Sequence, residues 1–345
     1  MLDFTGDSGP QIIAEIGANH NGDMNLARAM IAAAKSAGAH AVKFQSWSEK
    51  TLLCREGYER EPFYDAANKH RHTDSLRNMV RNYQLTPDQH RELKAFCAEK
   101  GTVFMSSVFS APEVALLEEL DAPCHKIASM DVNNPRILDA VAATHKPVLI
   151  STGMATFPEV RWAVERLYKG GCKQVIPMHC KAIYPVEPPD VDLLNLKMLQ
   201  DAFGRVVGYS DHTRGIAVAL ASVTLGAVFI EKHFTLDRDL PGWDHWFSAE
   251  PKELMDLCSG CNEAWQSLGS YTRTVNQAER EKLVNFRRSL VLTRDLHAGH
   301  MLGAADLDAK RPAIGIPPSA ENEVVGRILA RDMHEDDLLR WGDLA

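Results

Sequence analysis

Through the first three quarters of the chain, short continuous apolar runs alternate with longer stretches whose apolar residues recur at helical spacing. The runs at 11–17, 41–46, 102–108, 124–129, 147–152, 174–180, 206–212 and 228–234 read as strands. They are mostly continuous rather than alternating, the pattern of parallel strands buried on both faces. Between them, 25–37, 86–100, 111–120, 135–144 and 215–225 read as helices. Pro87, Pro112 and Pro135 stand near the starts of three of these, where a missing N–H costs little.

Strands alternating with helices predict a (β/α)8 TIM barrel, with a doubly wound open sheet as the rival. Side chains able to do chemistry recur at or just beyond the strand ends: Glu15, Lys43 with Gln45, Ser106 with Ser107, Lys126 with Ser129, and Ser151. His179, Ser210 with Asp211 and His212, and Lys232 with His233 continue the series. In a barrel these ends converge on one rim, whereas an open sheet would string them along an edge. The barrel is therefore expected, over residues 1–270.

A charged insertion, 54–84, follows the second run and is expected to form a partly helical rim element, since structureless loops of that length are uncommon. A polar linker, 271–285, leads to 286–345, where short runs are broken by Gly and Pro. That texture predicts a small β-rich domain, marginal by itself at this size. No internal repeat is expected.

Composition narrows the class of partner. Hydrophobic residues make up 45% and charged residues 24%, the balance of an ordinary globular protein. The net charge of -8 argues against a nucleic-acid or anionic-membrane binder, although a local cluster of cations can still hold a phosphate. The seven dispersed cysteines fit a reducing compartment better than a disulfide framework. Cys258 and Cys261 have C-x-x-C spacing without a second pair, which favours packing within a helix over a redox or zinc role. The N-terminal residues lack a basic start and apolar core, and the nearly apolar stretch 217–230 is too short to span a bilayer. The expectation is a soluble, cytoplasmic protein.

The segments IIAEIGANHNGD, AVKFQ, HKIAS, ISTGMAT, MHC-x-x-x-YP, VGYSDHT and IEKHFT, in that order, resemble the N-acetylneuraminate (sialic acid) synthase family. The tail from FRRSLVLTRDL to KRPAIGI resembles the SAF, or antifreeze-like, domain. Together these cover essentially the whole chain. The resemblance implies a barrel followed by a SAF domain, a domain-swapped homodimer and a divalent metal, Mn2+ foremost with Co2+ or Mg2+ as alternatives. It implies condensation of phosphoenolpyruvate with an open-chain N-acetylmannosamine-like hexose, giving a nonulosonic acid and phosphate by C–O cleavage. Sister members use other N-acetylated amino sugars and make legionaminic or pseudaminic acid.

Roles follow for individual residues. His212 and His233, at neighbouring strand ends, are the candidate metal ligands, and imidazoles so placed can meet over a barrel mouth. A hydrogen-bonded structural role is the rival, and His179 is a weaker third candidate. Lys43 and Lys126 would supply charge, and Ser107, Ser129, Ser151 and Ser210 hydroxyls and nearby N–H groups, to phosphoenolpyruvate. Strand-end serines also cap helices. Glu15 matches the family's active-site glutamate, against a plain buried Glu–Lys pair. Tyr184, Asp244 and Asn68 match acceptor-sugar contacts, and Trp243 either stacks on a sugar face or closes the rim. Arg311, in KRPAIGI, matches the arginine that reaches from the SAF domain of one subunit into the barrel of the other.

The chain departs from the commonest family pattern at Val108, Ser110, Met130, Asp131, Ala182 and Trp243. These changes bear on the acceptor pocket and leave the phosphate and metal motifs intact. A rival chemistry is a class I aldolase with Lys126 as the Schiff-base nucleophile. A purely carbohydrate- or ice-binding module fits poorly, because the tail is rich in Arg, Asp and His and the decorated strand ends would have no purpose.

Overall fold

The computed structural model describes residues 2–59 and 75–345. The chain divides into two compact units, the first ending at Gly269 and the second running from Ser270 to Ala345.

In the first unit, parallel strands β1 (Gln11–Gly17), β2 (Ala41–Ser46), β3 (Val103–Val108), β4 (His125–Ile127), β5 (Val148–Ser151), β6 (Val175–Cys180), β7 (Val207–Asp211) and β8 (Ala227–His233) pair in sequence order. Closure comes from β1 against β8, with Ile13 opposite Glu231 and Glu15 opposite His233. This is the expected (β/α)8 barrel, not an open sheet. β4 is shorter than the run that predicted it, because Ser129–Asp131 turns into a 3-10 helix.

Strand parity explains both the continuous apolar runs and the site. One face, including Val42, Phe44, Ile127, Ile150 and Ile230, packs against the helix layer. The other points into the barrel, where Ile13, Met105, Leu149, Ile176, Met178 and Phe229 fill the lower interior. One step further along the same face the residues become polar: Glu15, Lys43, Ser107, Lys126, Ser151, Ser210 and Glu231, all buried. The apolar plug lies below and the polar layer faces the C-terminal rim, where such barrels place their chemistry.

The helices are cleanly delimited. Pro87–Lys100 starts at a Thr86/Gln89 capping box and stops at Gly101, whose φ of 68° suits glycine. Helices Phe157–Lys169, Asn195–Phe203 and Pro251–Ser267 add to the layer. Cys261 is buried in Pro251–Ser267 and Cys258 is half-buried; both are free. Burial pushes both thiols up to about 12, as suits packing rather than redox chemistry. Within the insertion, Arg55–Glu59 and Leu76–Tyr83 are helical. Just before it, Thr51 donates to the buried carboxylate of Glu113 at 2.6 Å, fastening the rim to the barrel's helix layer. Among the described residues no helix is long and apolar enough to cross a membrane.

The second unit opens with helix Gln277–Phe286, which begins inside the stretch read as a linker and ends one residue beyond it. Its Asn276/Glu279 capping box was a readable start signal. Strands β9 (Ser289–Leu292) and β10 (Leu307–Lys310) form an antiparallel pair over a core that includes Leu290, Leu302, Val324 and Met333. Contrary to expectation, this unit contains an internal repeat: 294–307 and 331–344 share one design. Arg294 pairs with Asp306 and Arg331 with Asp343, each at 2.8 Å. Asp332 accepts from Ala298 N and Asp295 from Glu335 N, while Leu296 and Met333 exchange backbone hydrogen bonds.

Candidate active site

The polar layer and the loops above it enclose a cavity of about 670 Å³. Its floor is an ionic lattice. Lys43 Nζ lies 2.8 Å from Glu15 Oε2, 2.8 Å from Ser107 Oγ and 3.7 Å from Glu231 Oε1. Lys126 Nζ donates to Ser151 Oγ at 2.7 Å and stands 4.0 Å from Glu231 Oε2. Ser210 donates to Glu231 Oε1 at 3.1 Å, and Gln45 donates to Glu15 Oε1 at 2.8 Å.

The two carboxyls are not equivalent. Burial raises the pKa of Glu15, only partly offset by Lys43, and Glu231 raises it further. Burial also opposes charge on Glu231, but Lys126 and Lys43 outweigh it and hold Glu231 ionised. Burial lowers the Lys126 pKa despite Glu231, whereas for Lys43 the two carboxylates overcome burial and raise it.

Beside this floor stand two imidazoles. The His212 and His233 ring centroids are 5.3 Å apart, with Tyr184 packed on His212 at 4.2 Å. His212 Nδ1 is 2.7 Å from the carbonyl of Lys181. A carbonyl can only accept, so Nδ1 carries a proton; burial opposes charge on the ring, but Cys180 outweighs it and raises the His212 pKa, so Nε2 offers a lone pair once its own proton is lost. Burial, reinforced by the charges of His212, Lys43, Lys232 and Lys126, keeps His233 neutral. Its buried Nδ1 has no hydrogen-bond partner, and Asp244 Oδ2 is 3.6 Å away. Two imidazoles with uncommitted nitrogens suit a borderline divalent metal. Among the described residues no group of three or more His, Cys, Asp and Glu is arranged to enclose an ion. His212 and His233 would be the residues to hold such an ion.

One side of the cavity is largely apolar. Trp243 packs against Trp47 at 5.7 Å and Tyr83 at 5.6 Å, and Leu52, Leu53, Leu76 and Phe109 extend the wall. Asp244 lies at its inner edge, pushed up to about 6 by burial against the attraction of His212 and Lys43.

The structure brings Glu15, Lys43, Ser107, Lys126, Ser129, Ser151, Tyr184, Ser210, His212, His233 and Asp244 to one cavity. His179 points elsewhere, bonding the Val191 carbonyl at 2.6 Å and stacking on Tyr209. Ser106, Asp211 and Lys232 face the helix layer. Asn68 falls outside the described residues, and Arg311 belongs to the second unit, where its Cζ lies 5.2 Å from the Phe286 ring centroid. Of the departures from the family pattern, Met130, Ala182 and Trp243 line the cavity and Val108, Ser110 and Asp131 do not. Glu231 is the main residue that sequence reading missed. Its signal was available: it stands two residues before His233 on one strand, and so shares its face.

Residues 30–273 match the model of the NeuB family, and 287–345 match that of the SAF domain. The chain belongs to the NeuB family. It is 38% identical over 333 residues to the N,N'-diacetyllegionaminic acid synthase of Campylobacter jejuni, covering 95% of this chain and 98% of that protein. It is 34% identical over 334 residues to the human N-acetylneuraminate-9-phosphate synthase, covering 95% and 90%. Among solved structures, the N-acetylneuraminic acid (sialic acid) synthetase of Leptospira borgpetersenii, in complex with citrate, matches with a TM-score of 0.69 at 34% identity. That match covers 79% of this chain and 90% of the other. These NeuB-family relatives are synthases, and the catalytic-looking floor described above sits in the part of the chain they share.

Proposed function

We propose that this NeuB-family chain condenses phosphoenolpyruvate with an open-chain N-acetylated amino sugar, releasing phosphate and forming a nonulosonic acid. One observation carries the reading: two buried lysines, each backed by a serine hydroxyl and sharing Glu231, face the same cavity as two available imidazoles. Lys43 and Lys126, with the serine hydroxyls, receive the phosphate and carboxylate of phosphoenolpyruvate as charge-assisted hydrogen bonds.

His212 and His233 would hold a divalent metal, Mn2+ foremost, which would polarise the sugar aldehyde as a Lewis acid. Asp244 and Tyr184 orient the open-chain sugar so that its aldehyde carbon faces C3 of phosphoenolpyruvate. The C3–C1 bond forms, C2 becomes electron-deficient, and water adds there. Glu231, ionised and with its Oε2 free of hydrogen bonds, takes the proton lost by that water. Glu15, with its raised proton affinity, holds a proton for the new alkoxide. Phosphate then leaves with the bridging oxygen, which takes up the proton of the C2 hydroxyl, and C2 becomes the ketone.

The apolar wall of Trp47, Trp243, Leu52, Leu53 and Leu76 favours a second reading of the acceptor. Such a wall suits the methyl group of a 2,4-diacetamido-6-deoxy sugar, the kind of acceptor that leads to legionaminic or pseudaminic acid. Phosphate release from phosphoenolpyruvate, assayed with Mn2+ over a panel of amino sugars with product masses recorded, tests both. Release that requires an amino sugar and yields a mass of sugar plus pyruvate is expected. Release independent of any sugar would count against condensation.

A further inference from the structure

Each imidazole of the site follows a charged residue in sequence: Asp211 precedes His212 and Lys232 precedes His233. Strand parity turns these neighbours to the far side of the barrel wall, away from the cavity. There Lys232 Nζ lies 2.7 Å from Asp211 Oδ2, with the two side chains only 2% and 0% exposed. Lys232 also donates to the Thr213 carbonyl. The other carboxylate oxygen, Asp211 Oδ1, accepts from the Tyr209 hydroxyl at 3.0 Å and from the N–H and hydroxyl of Thr213, each at 2.8 Å.

Asp211 and Lys232 are also register partners on β7 and β8. Their ion pair therefore joins the two strand ends at the level where His212 and His233 emerge, and the Thr213 bonds fix the turn just after His212. A buried ion pair is a poor source of stability in itself, since packed apolar residues of similar volume often serve as well. What the pair supplies is a fixed geometry, with every polar atom of the Asp211 carboxylate engaged.

We propose that Asp211 and Lys232 are positioning residues, which set the separation of His212 and His233 from behind the wall and thereby the affinity of the site for a divalent ion. This rests on the metal reading given above. The test uses the full chain, freed of metal, titrated with Mn2+ by calorimetry in the absence of substrates. Wild type is compared with Lys232→Met/Asp211→Asn, which removes both charges while keeping an acceptor for Thr213, and with His233→Ala.

The double variant is expected to unfold cooperatively yet to bind Mn2+ about 10–100-fold more weakly. Its kcat should fall in step, with the KM for phosphoenolpyruvate changing less than about threefold. A folded double variant with wild-type Mn2+ affinity and kcat overturns the proposal. His233→Ala separates the ways of failing. If that variant binds Mn2+ as wild type does, the metal reading falls and the positioning role falls with it. If it loses Mn2+ while the double variant keeps it, only the positioning role falls. Should the double variant not fold, Lys232→Gln, which can still donate to Asp211, is expected to weaken Mn2+ binding severalfold at an unchanged circular dichroism spectrum. Unchanged binding in that variant is equally decisive against the role.

Discussion

Glu231 Oε1 stands 3.7 Å from the ammonium of Lys43, and its other oxygen stands 4.0 Å from that of Lys126. One carboxylate thus serves two buried cations, and neither lysine is fully neutralised by it. Lys43 is also paired with Glu15 at 2.8 Å, so a surplus of positive charge suited to a multiply charged anion arises when Glu15, whose pKa burial raises, holds its proton. Lys43→Ala and Lys126→Ala should each lower kcat/KM for phosphoenolpyruvate by an amount on the order of 2–4 kcal/mol, mostly through KM. Steady-state kinetics with the sugar saturating would show it. An effect confined to the sugar's KM would assign the lysines to the wrong substrate.

The metal reading and its rival diverge under two reagents. If His212 and His233 hold an essential ion, a chelator should bring turnover to background and Mn2+ should restore it. His233→Ala should lose both metal binding and turnover. The Schiff-base aldolase alternative draws on the lowered pKa of Lys126, which favours a free amine. It requires borohydride to trap substrate on Lys126 and activity to be indifferent to chelation. Full activity in a stringently metal-free preparation would falsify the metal role.

Bond cleavage gives a third test. With the nucleophilic carbon at C3 and water adding at C2, the bridging oxygen of phosphoenolpyruvate must leave with phosphorus. Phosphoenolpyruvate labelled at that oxygen should therefore deliver its label to inorganic phosphate, read by mass spectrometry. Label found in the keto acid instead would mean P–O cleavage and rule out the proposed order of bonds.

Asp306 links the stability of the second unit to pH. Its carboxylate accepts from Gly303 N at 2.9 Å, His300 at 2.9 Å and Arg294 at 2.8 Å, and these hold its pKa well below the usual carboxylate range. A depressed pKa means that the stabilisation is present above the unfolded-state value of about 3.9 and is lost as pH falls through the folded value. Asp306→Asn should cost about 1–3 kcal/mol at pH 7. Denaturant unfolding should then show the gap between wild type and variant shrinking below about pH 4. A gap independent of pH would mean that the charge contributes nothing.

The barrel and most of its site were legible because parallel strands announce themselves twice, by a continuous apolar run and by a polar residue where the run ends. What could not be read from the pattern alone was which of several consecutive polar residues faces the cavity. Glu231, Lys232 and His233 are adjacent in sequence, yet parity sends the outer two inward and Lys232 to the helix layer. Ser106 and Ser107 divide in the same way. Trp47, Leu53 and Trp243 come from loops, and Leu52 and Leu76 from helices of one or two turns, which carry too short a period to follow. The repeat in the second unit was legible as well: 294–307 and 331–344 are identical at six of fourteen positions, including Arg294 and Arg331, His297 and His334, and Asp306 and Asp343, and the paired Arg–Asp bridges show what those identities build.

The remaining prediction concerns Arg311, which is exposed and whose guanidinium lies over the Phe286 ring within its own unit. Resemblance to the family assigns this arginine to the barrel of a partner subunit, near the N-acetyl group of the sugar. An Arg suits that task, since its planar fork can donate to an amide carbonyl while its face covers an apolar rim. The bland alternative is a surface side chain that stays with Phe286. Mixed dimers separate the two. His233→Ala and Arg311→Ala homodimers should each be nearly inactive. When the two chains are co-expressed with different tags and the mixed dimer isolated, an arginine acting across subunits gives one site with both defects and one with neither. Activity should then return to about half the wild-type value per dimer if the sites act independently. If Arg311 serves its own barrel, each site of the mixed dimer keeps one defect, no intact site arises, and the mixed dimer stays inactive. If the chain proves monomeric at assay concentrations while fully active, the exchange has no physical basis at all. An Arg311→Lys mixed with His233→Ala refines the outcome: a point charge without the fork should restore turnover only in part, with the loss in the sugar's KM rather than in that of phosphoenolpyruvate.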